Sequence, residues 1–137
     1  MQVALEMLNR LNVNWEVRMQ HLAAETVNRN GDLLRQSLNT LLKERETYAL
    51  VDFPDYANIG DSLIWLGARR LLKDATARDP DYTCSYHNYD AQKLKALVPS
   101  GPIFICGGGN FGDIYSDHMD FRFRLMKDFP GRRIVQL

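Results

Sequence analysis

The chain has 137 residues, 45% of them hydrophobic and 25% charged, which suits one ordinary domain with a core and not a disordered tail. Lys plus Arg and Asp plus Glu number 17 each, for a formal net charge of 0. That balance argues against a broad nucleic-acid or polyanion surface, which needs a basic excess, but is compatible with a local pocket for one small anion. Two cysteines, Cys84 and Cys106, are far apart and in no metal-ligand spacing, so neither a disulfide framework nor a metal site is indicated.

Residues 1–46 read as a polar-rich helical segment. Leu5, Leu8, Leu11, Trp15 and Leu22 fall largely at three- and four-residue spacings and make one apolar stripe. Asn30-Gly31-Asp32 is a turn signal, with Asp32 placed to cap a second helix from about Leu33 to Glu46. This predicts a helical hairpin, or one long helix broken near Gly31. The stripe has two readings, a homo-oligomer seam or a face packed on its own domain, and Arg18 within it counts against a coiled coil. Glu6 and Arg10 interrupt any signal-like apolar run, and no stretch approaches membrane-spanning length, so the expectation is a cytoplasmic protein.

The pattern then changes to alternating strands and helices over residues 47–137. Strands are predicted at Tyr48–Phe53, Tyr82–His87, Ile103–Cys106 and Arg133–Leu137. Helices are predicted at Ser62–Lys73 with Leu63, Ile64, Leu66, Leu71 and Leu72 inward, at Asp90–Val98, and at Asp117–Phe129 with Phe121, Leu125 and Met126 inward. Such alternation implies a Rossmann-like parallel α/β sheet. The last strand stops at Leu137, where an α/β sheet rarely ends, so the expectation is the N-terminal part of a longer protein.

Two loops carry the candidate chemistry. The stretch Ile103 to Tyr115 runs from four apolar residues into Gly107-Gly108-Gly109, then Asn110, Gly112 and Asp113, then a helix. A strand that ends in glycines and opens a helix points backbone N–H groups at an anion, and a plain turn would need only one glycine. The first strand leads into Asn58-Ile59-Gly60-Asp61, so Asn-apolar-Gly-Asp recurs in both loops. The bland reading is two good helix caps. If the loops share one crevice, the first and third strands are neighbours and the sheet order is 2-1-3-4. Gly107, Gly109 and Gly112 also fit a dinucleotide fingerprint, but on the third strand and without room for its ribose acid, so NAD or flavin ranks low. No P-loop and no His-Glu-x-x-His is present.

His118 and Arg122 are four apart on the helix after the glycines, and Arg122 opposes the helix dipole unless it meets an anion. Solvent exposure is the bland alternative for both. His21 reads as a surface residue and His87 as structural. Arg69, Arg70, Lys73, Arg132 and Arg133 read as ordinary element termini.

Tyr48 to Gly67, with Asn58, Gly60 and Asp61, resembles the opening motif of the polysaccharide pyruvyl transferase family. Ile103 to Tyr115, followed by His118 and Phe121-Arg122, resembles its second motif. Arg133 to Leu137 is similar to the strand that follows. The resemblance covers about residues 47–137, and residues 1–46 match nothing in it. It implies a transferase that moves the pyruvyl unit of phosphoenolpyruvate onto two hydroxyls of a saccharide, as a ketal, in exopolysaccharide or cell-surface polysaccharide synthesis. It implies two Rossmann-like domains in a GT-B-like arrangement, with this chain as the first and a C-terminal domain supplying most donor-binding residues.

Phosphoenolpyruvate is then a substrate, and no cofactor or metal is expected. Asp61 is the candidate catalytic residue, as an acceptor contact or general base. Asn58, Gly60, Gly107, Gly108, Gly109, Asn110, Asp113, His118 and Arg122 are the substrate-binding candidates. The acceptor would be a saccharide or lipid-linked saccharide met at the inner membrane face, and the chain alone would release no phosphate. The rival readings are one half of a glycosyltransferase that uses a nucleotide sugar, and a non-catalytic α/β scaffold.

Overall fold

The computed structural model describes residues 2–43, 46–108, 112 and 114–137, with side chains from residue 14 onward. Its elements are α1 (Gln2–Leu41), β1 (Ala49–Val51), α2 (Ile59–Thr76), β2 (Tyr82–Cys84), α3 (Ala91–Leu97), β3 (Ile103–Ile105), α4 (Ser116–Asp128) and β4 (Ile134–Gln136). The four strands pair in parallel in the order β2-β1-β3-β4, as predicted. Val51 lies opposite both Cys84 and Ile105, so the carboxyl ends of β2, β1 and β3 are level.

The strands are apolar on both faces because helices cover both. Ala49, Val51, Ile103 and Ile105 point to one side and pack with Leu94 and Val98 around α3 and with Phe121, Leu125 and Phe129 around α4. Tyr48, Leu50, Phe104 and Cys106 point to the other side and pack with Trp65, Ala68 and Leu72 of α2 and with Leu38 and Leu42. Each fully buried apolar side chain contributes about 1.5–3 kcal/mol of transfer free energy.

The chain divides into two compact units, residues 1–37 and 38–137. Within the first, α1 runs through Asn30-Gly31-Asp32 without a break, contrary to the predicted hairpin. One glycine in a helix costs about 1 kcal/mol, too little to stop a helix with good formers on both sides. Asp32 pairs with Arg35 on the same helix instead of capping a new one. Trp15, Met19, Leu22, Leu33 and Leu34 are exposed, and the stripe residues Leu5, Leu8 and Leu11 lie outside the described side chains.

The helix ends at Leu41 and not at Glu46, for a tertiary reason. Arg133, at the start of β4, donates to the Leu41 carbonyl and to the Glu46 carboxylate, and Glu46 accepts from the Lys43 backbone N–H. A cation thus caps the carbonyl end. Arg132 is no ordinary terminus either. Its guanidinium donates to the Val98, Pro99 and Gly101 carbonyls and fixes the turn before β3.

Helix α2 differs from the prediction in its inward face. Trp65, Ala68, Leu72 and Thr76 are buried, while Leu63, Ile64 and Leu66 are exposed. Of the expected inward residues Leu72 is fully buried and Leu71 packs partly buried against the same core, so the face is rotated toward Trp65 and Ala68 and not reversed. Met126 of α4 is likewise exposed.

Cys84 and Cys106 are both free and buried. Burial pushes their thiols up, to about 11 for Cys84 and about 12 for Cys106. An unfolded thiol ionises near pH 8.5. The stability that this shift contributes is therefore whole below that pH and is lost as pH rises toward 11 or 12. Urea unfolding is expected to show a loss of about 2 kcal/mol per thiol between pH 8 and pH 10. The double Cys→Ser variant should flatten that slope, and an equal slope in both proteins would contradict it.

Candidate functional site

The carboxyl ends of β1 and β3 flank the point where strand order reverses, which is where parallel sheets bind ligands. Asp52 follows β1 directly. It is buried, and its backbone is left-handed at φ 66°. A left-handed residue other than glycine costs of order 1 kcal/mol or more and persists only where its surroundings hold it. Here two partners do. Asp52 Oδ1 is 2.8 Å from His118 Nδ1, and Arg122 Nη2 donates to Oδ2 at 3.1 Å. His118 and Arg122 come from α4 and are themselves buried. The anion that reconciles Arg122 with its place in the helix is thus internal. Burial pushes the Asp52 carboxyl up, and His118 and Arg122 pull it back.

Beside this triad lies an open cleft of about 690 Å³. One wall is the β1–α2 loop, with Tyr56, Ala57 and Asn58, and Asp61 from the first turn of α2. The other is the start of α4, from Ile114 to His118, and Tyr86 enters from the β2–α3 loop. The His118 ring sits among Tyr56, Tyr86 and Tyr115, with centroids 6.1, 4.7 and 6.3 Å away. The N-cap residue of α4, Tyr115, makes no side-chain cap hydrogen bond to the first turn.

Asn58 is the N-cap of α2, and its Oδ1 accepts from the Gly60 and Asp61 N–H groups at 2.9 and 3.4 Å. The capping reading therefore accounts for its oxygen. Gly60 is helical and makes no special turn. Asp61 sits in the first turn of α2, and its Oδ2 accepts from the Tyr56 hydroxyl at 2.9 Å. Burial, with the nearby Asp61 carboxylate, pushes the Tyr56 phenol up, so it stays protonated and donates.

Gly107 has a packing reason. A Cβ there would stand 2.5 Å from the Leu137 carbonyl oxygen, at the end of β4. Gly108 is exposed and takes φ 142°, which other residues rarely adopt. Gly109, Asn110 and Asp113 lie outside the described residues, so the second copy of the Asn-apolar-Gly-Asp motif has no described geometry.

The structure thus gathers Asn58, Gly60, Asp61, His118 and Arg122 around one cleft and its floor. Sequence reasoning passed over Asp52, Tyr56, Tyr86 and Tyr115. An acid directly after a strand at the reversal point was a usable signal for Asp52. The tyrosines had none. His87 is exposed and stands 3.8 Å from Asp55, and His21 is exposed and pairs with Glu25 on α1. Among the described residues, no three His, Cys, Asp or Glu side chains come together as a metal site. No described helix is long and apolar enough to cross a membrane.

A family model for polysaccharide pyruvyl transferase matches residues 58–137. The fission yeast Schizosaccharomyces pombe has a similar protein named "Pyruvyl transferase 1", 37% identical over 88 residues, covering 61% of this chain and 22% of the relative. Bacillus subtilis has one named "Putative pyruvyl transferase EpsO", 31% identical over 108 residues, covering 76% of this chain and 32% of the relative. The chain therefore spans about a third or less of the length of these curated relatives. No solved structure matches it.

Proposed function

Because the chain belongs to the polysaccharide pyruvyl transferase family, we propose that it forms the acceptor side of an active cleft that transfers a pyruvyl group to a saccharide as a ketal. The donor in this reading is phosphoenolpyruvate, and the product is a modified exopolysaccharide or cell-surface polysaccharide. A second Rossmann-like domain, in a GT-B-like arrangement, supplies the remaining donor contacts. The reaction takes place in the cytoplasm, at the inner membrane face where a lipid-linked acceptor is built.

One observation carries the reading. The cleft at the reversal point is lined by a carboxylate and a phenol, Asp61 and Tyr56, together with the start of α4, around a space large enough for a sugar. Sugar hydroxyls are bound by such planar acceptors and aromatic faces, while backbone N–H groups at a helix start suit the donor's anionic oxygens. Asp61 accepts a hydrogen bond from an acceptor hydroxyl as that oxygen attacks C2 of the enolpyruvyl unit.

The test uses the longest natural chain that carries residues 1–137. Asp61→Asn keeps an oxygen for Tyr56 but removes the charge, so phosphate release from phosphoenolpyruvate is expected to fall about 100-fold or more. Its melting temperature is expected to stay within about 2 °C, since Asp61 is half-exposed. Unchanged turnover would remove Asp61 from the chemistry. Thermal shift by a nucleotide sugar but not by phosphoenolpyruvate would favour glycosyl transfer instead.

A further inference from the structure

The carboxyl edge of the sheet carries a charge pattern that the acceptor contacts just described leave unexplained. The chain has 17 Lys plus Arg, as many as its acids. None of those cations lies in the stretches that leave the carboxyl ends of β1, β2 and β3, which are residues 52–68, 85–90 and 106–121. Each of the three stretches carries aspartate. Asp52 is answered from within the fold by Arg122. The acids of the cleft walls have no such cation beside them in sequence.

Asp117 is the acid placed to act on a ligand without being part of the proposed chemistry. It is exposed in the first turn of α4 and lines the cleft, as Asp61 does from the first turn of α2. It makes no hydrogen bond or ion pair with another side chain among the described residues. Its field reaches Tyr86, another lining residue. Burial pushes the Tyr86 phenol up, and the Asp117, Asp55 and Asp52 carboxylates push it further. The helix dipole accounts for an acid in this turn. It does not account for the absence of Lys and Arg from all three stretches.

We infer that Asp117 is a specificity-determining residue: with Asp61 on the other wall it excludes anionic saccharides, so the sugar unit that enters the cleft is uncharged. This rests on the pyruvyl-transfer reading and names the class of acceptor within it. A sugar hydroxyl donates to a carboxylate, whereas a sulfate, phosphate or carboxylate on the sugar can only accept and is repelled. The described lining residues include no Lys or Arg to offset that repulsion. The donor is an anion as well, but in that reading its charge is met by backbone N–H groups and by the second domain.

The probes are methyl β-glucoside, methyl β-galactoside and methyl α-mannoside, each beside its 2-O-sulfate, which leaves the other ring hydroxyls intact. Amide-shift titration of the 137-residue chain in about 20 mM salt is expected to give each neutral glycoside a Kd at least about tenfold below that of its sulfate. Salt at about 0.5 M should shrink that ratio to about threefold or less. Asp117→Asn keeps one acceptor oxygen, and should tighten the sulfates about fivefold with the neutral Kd values within about twofold. Asp120→Asn removes the same charge from the same helix at an exposed position outside the cleft lining, and should change the ratio by less than about twofold. In the longest natural chain, Asp117→Asn should raise kcat/KM for the sulfated probes relative to their parents in the same proportion. Sulfates that bind as tightly as their parents would overturn the inference. So would an equal effect from Asp120→Asn, or no binding of any neutral glycoside. Phosphate release from phosphoenolpyruvate by the longest natural chain decides the pyruvyl-transfer reading separately, so the two can fail independently.

Discussion

Gly101→Ala is expected to cost about 4 kcal/mol or more, with a closer backbone clash than at any other glycine whose surroundings are described. Gly101 is buried in the turn between α3 and β3, and a Cβ there would lie 1.5 Å from the Thr47 carbonyl oxygen and 2.7 Å from its carbon. Both are backbone atoms at the entrance to β1, so no rotamer change relieves the clash. The two segments cannot part cheaply. The Ala49 N–H donates to the Pro102 carbonyl, and Arg132 holds the Gly101 carbonyl from below. Relief would have to open the β1–β3 pairing, which carries the centre of both cores. Urea unfolding of the variant measures it. A loss below about 1 kcal/mol would mean that the turn can move away, and that the close approach is not required. Gly131→Ala is a useful contrast: its φ of 81° strains any side chain, but open space surrounds it.

Arg122→Met is the second large effect, with an expected loss of about 3–5 kcal/mol at pH 8. Methionine fills much of the volume but leaves the Asp52 carboxylate buried without its guanidinium. The double variant Asp52→Asn with Arg122→Met should recover about 1–3 kcal/mol, because the stranded charge is removed. The pH dependence has a definite sign. Burial already raises the Asp52 carboxyl, and losing Arg122 raises it further. A carboxyl whose folded value lies above its unfolded value favours the folded state when protonated, so the deficit should shrink as pH falls from 8 toward 5. A deficit that grows on acidification would show that Asp52 is held by something other than this pair.

The sheet was legible because its strands are short apolar runs between turn signals, each followed by a helical pattern. The order β2-β1-β3-β4 followed from one functional premise, that two similar loops share a crevice, and the strands pair in that order. Helix orientation was less legible. In α2 the buried residues are Trp65, Ala68, Leu72 and Thr76, and the first three pack with Tyr48, Leu50, Phe104 and Cys106. Counting leucines placed Leu72 correctly but also turned Leu63, Ile64 and Leu66 inward, and these are exposed. In α1 the Asn-Gly-Asp signal was overridden, since local turn propensity is worth less than an unbroken run of helical hydrogen bonds.

The site divides in the same way. The Asn58 and Asp61 loop was readable because caps and first-turn acids are local features, with partners two or three residues away. By itself, the sequence determined an α/β domain, the ends of its strands, and two loops rich in glycine and short polar residues. Only the tertiary structure decided what those loops stand against. His118 and Arg122 meet Asp52 across 66 and 70 residues of chain, and that pairing turns two apparent surface groups into a buried triad. No periodicity encodes such a contact. It exists because the parallel crossover brings the start of α4 back over the end of β1, where a buried acid can remain only if a histidine and an arginine reach it.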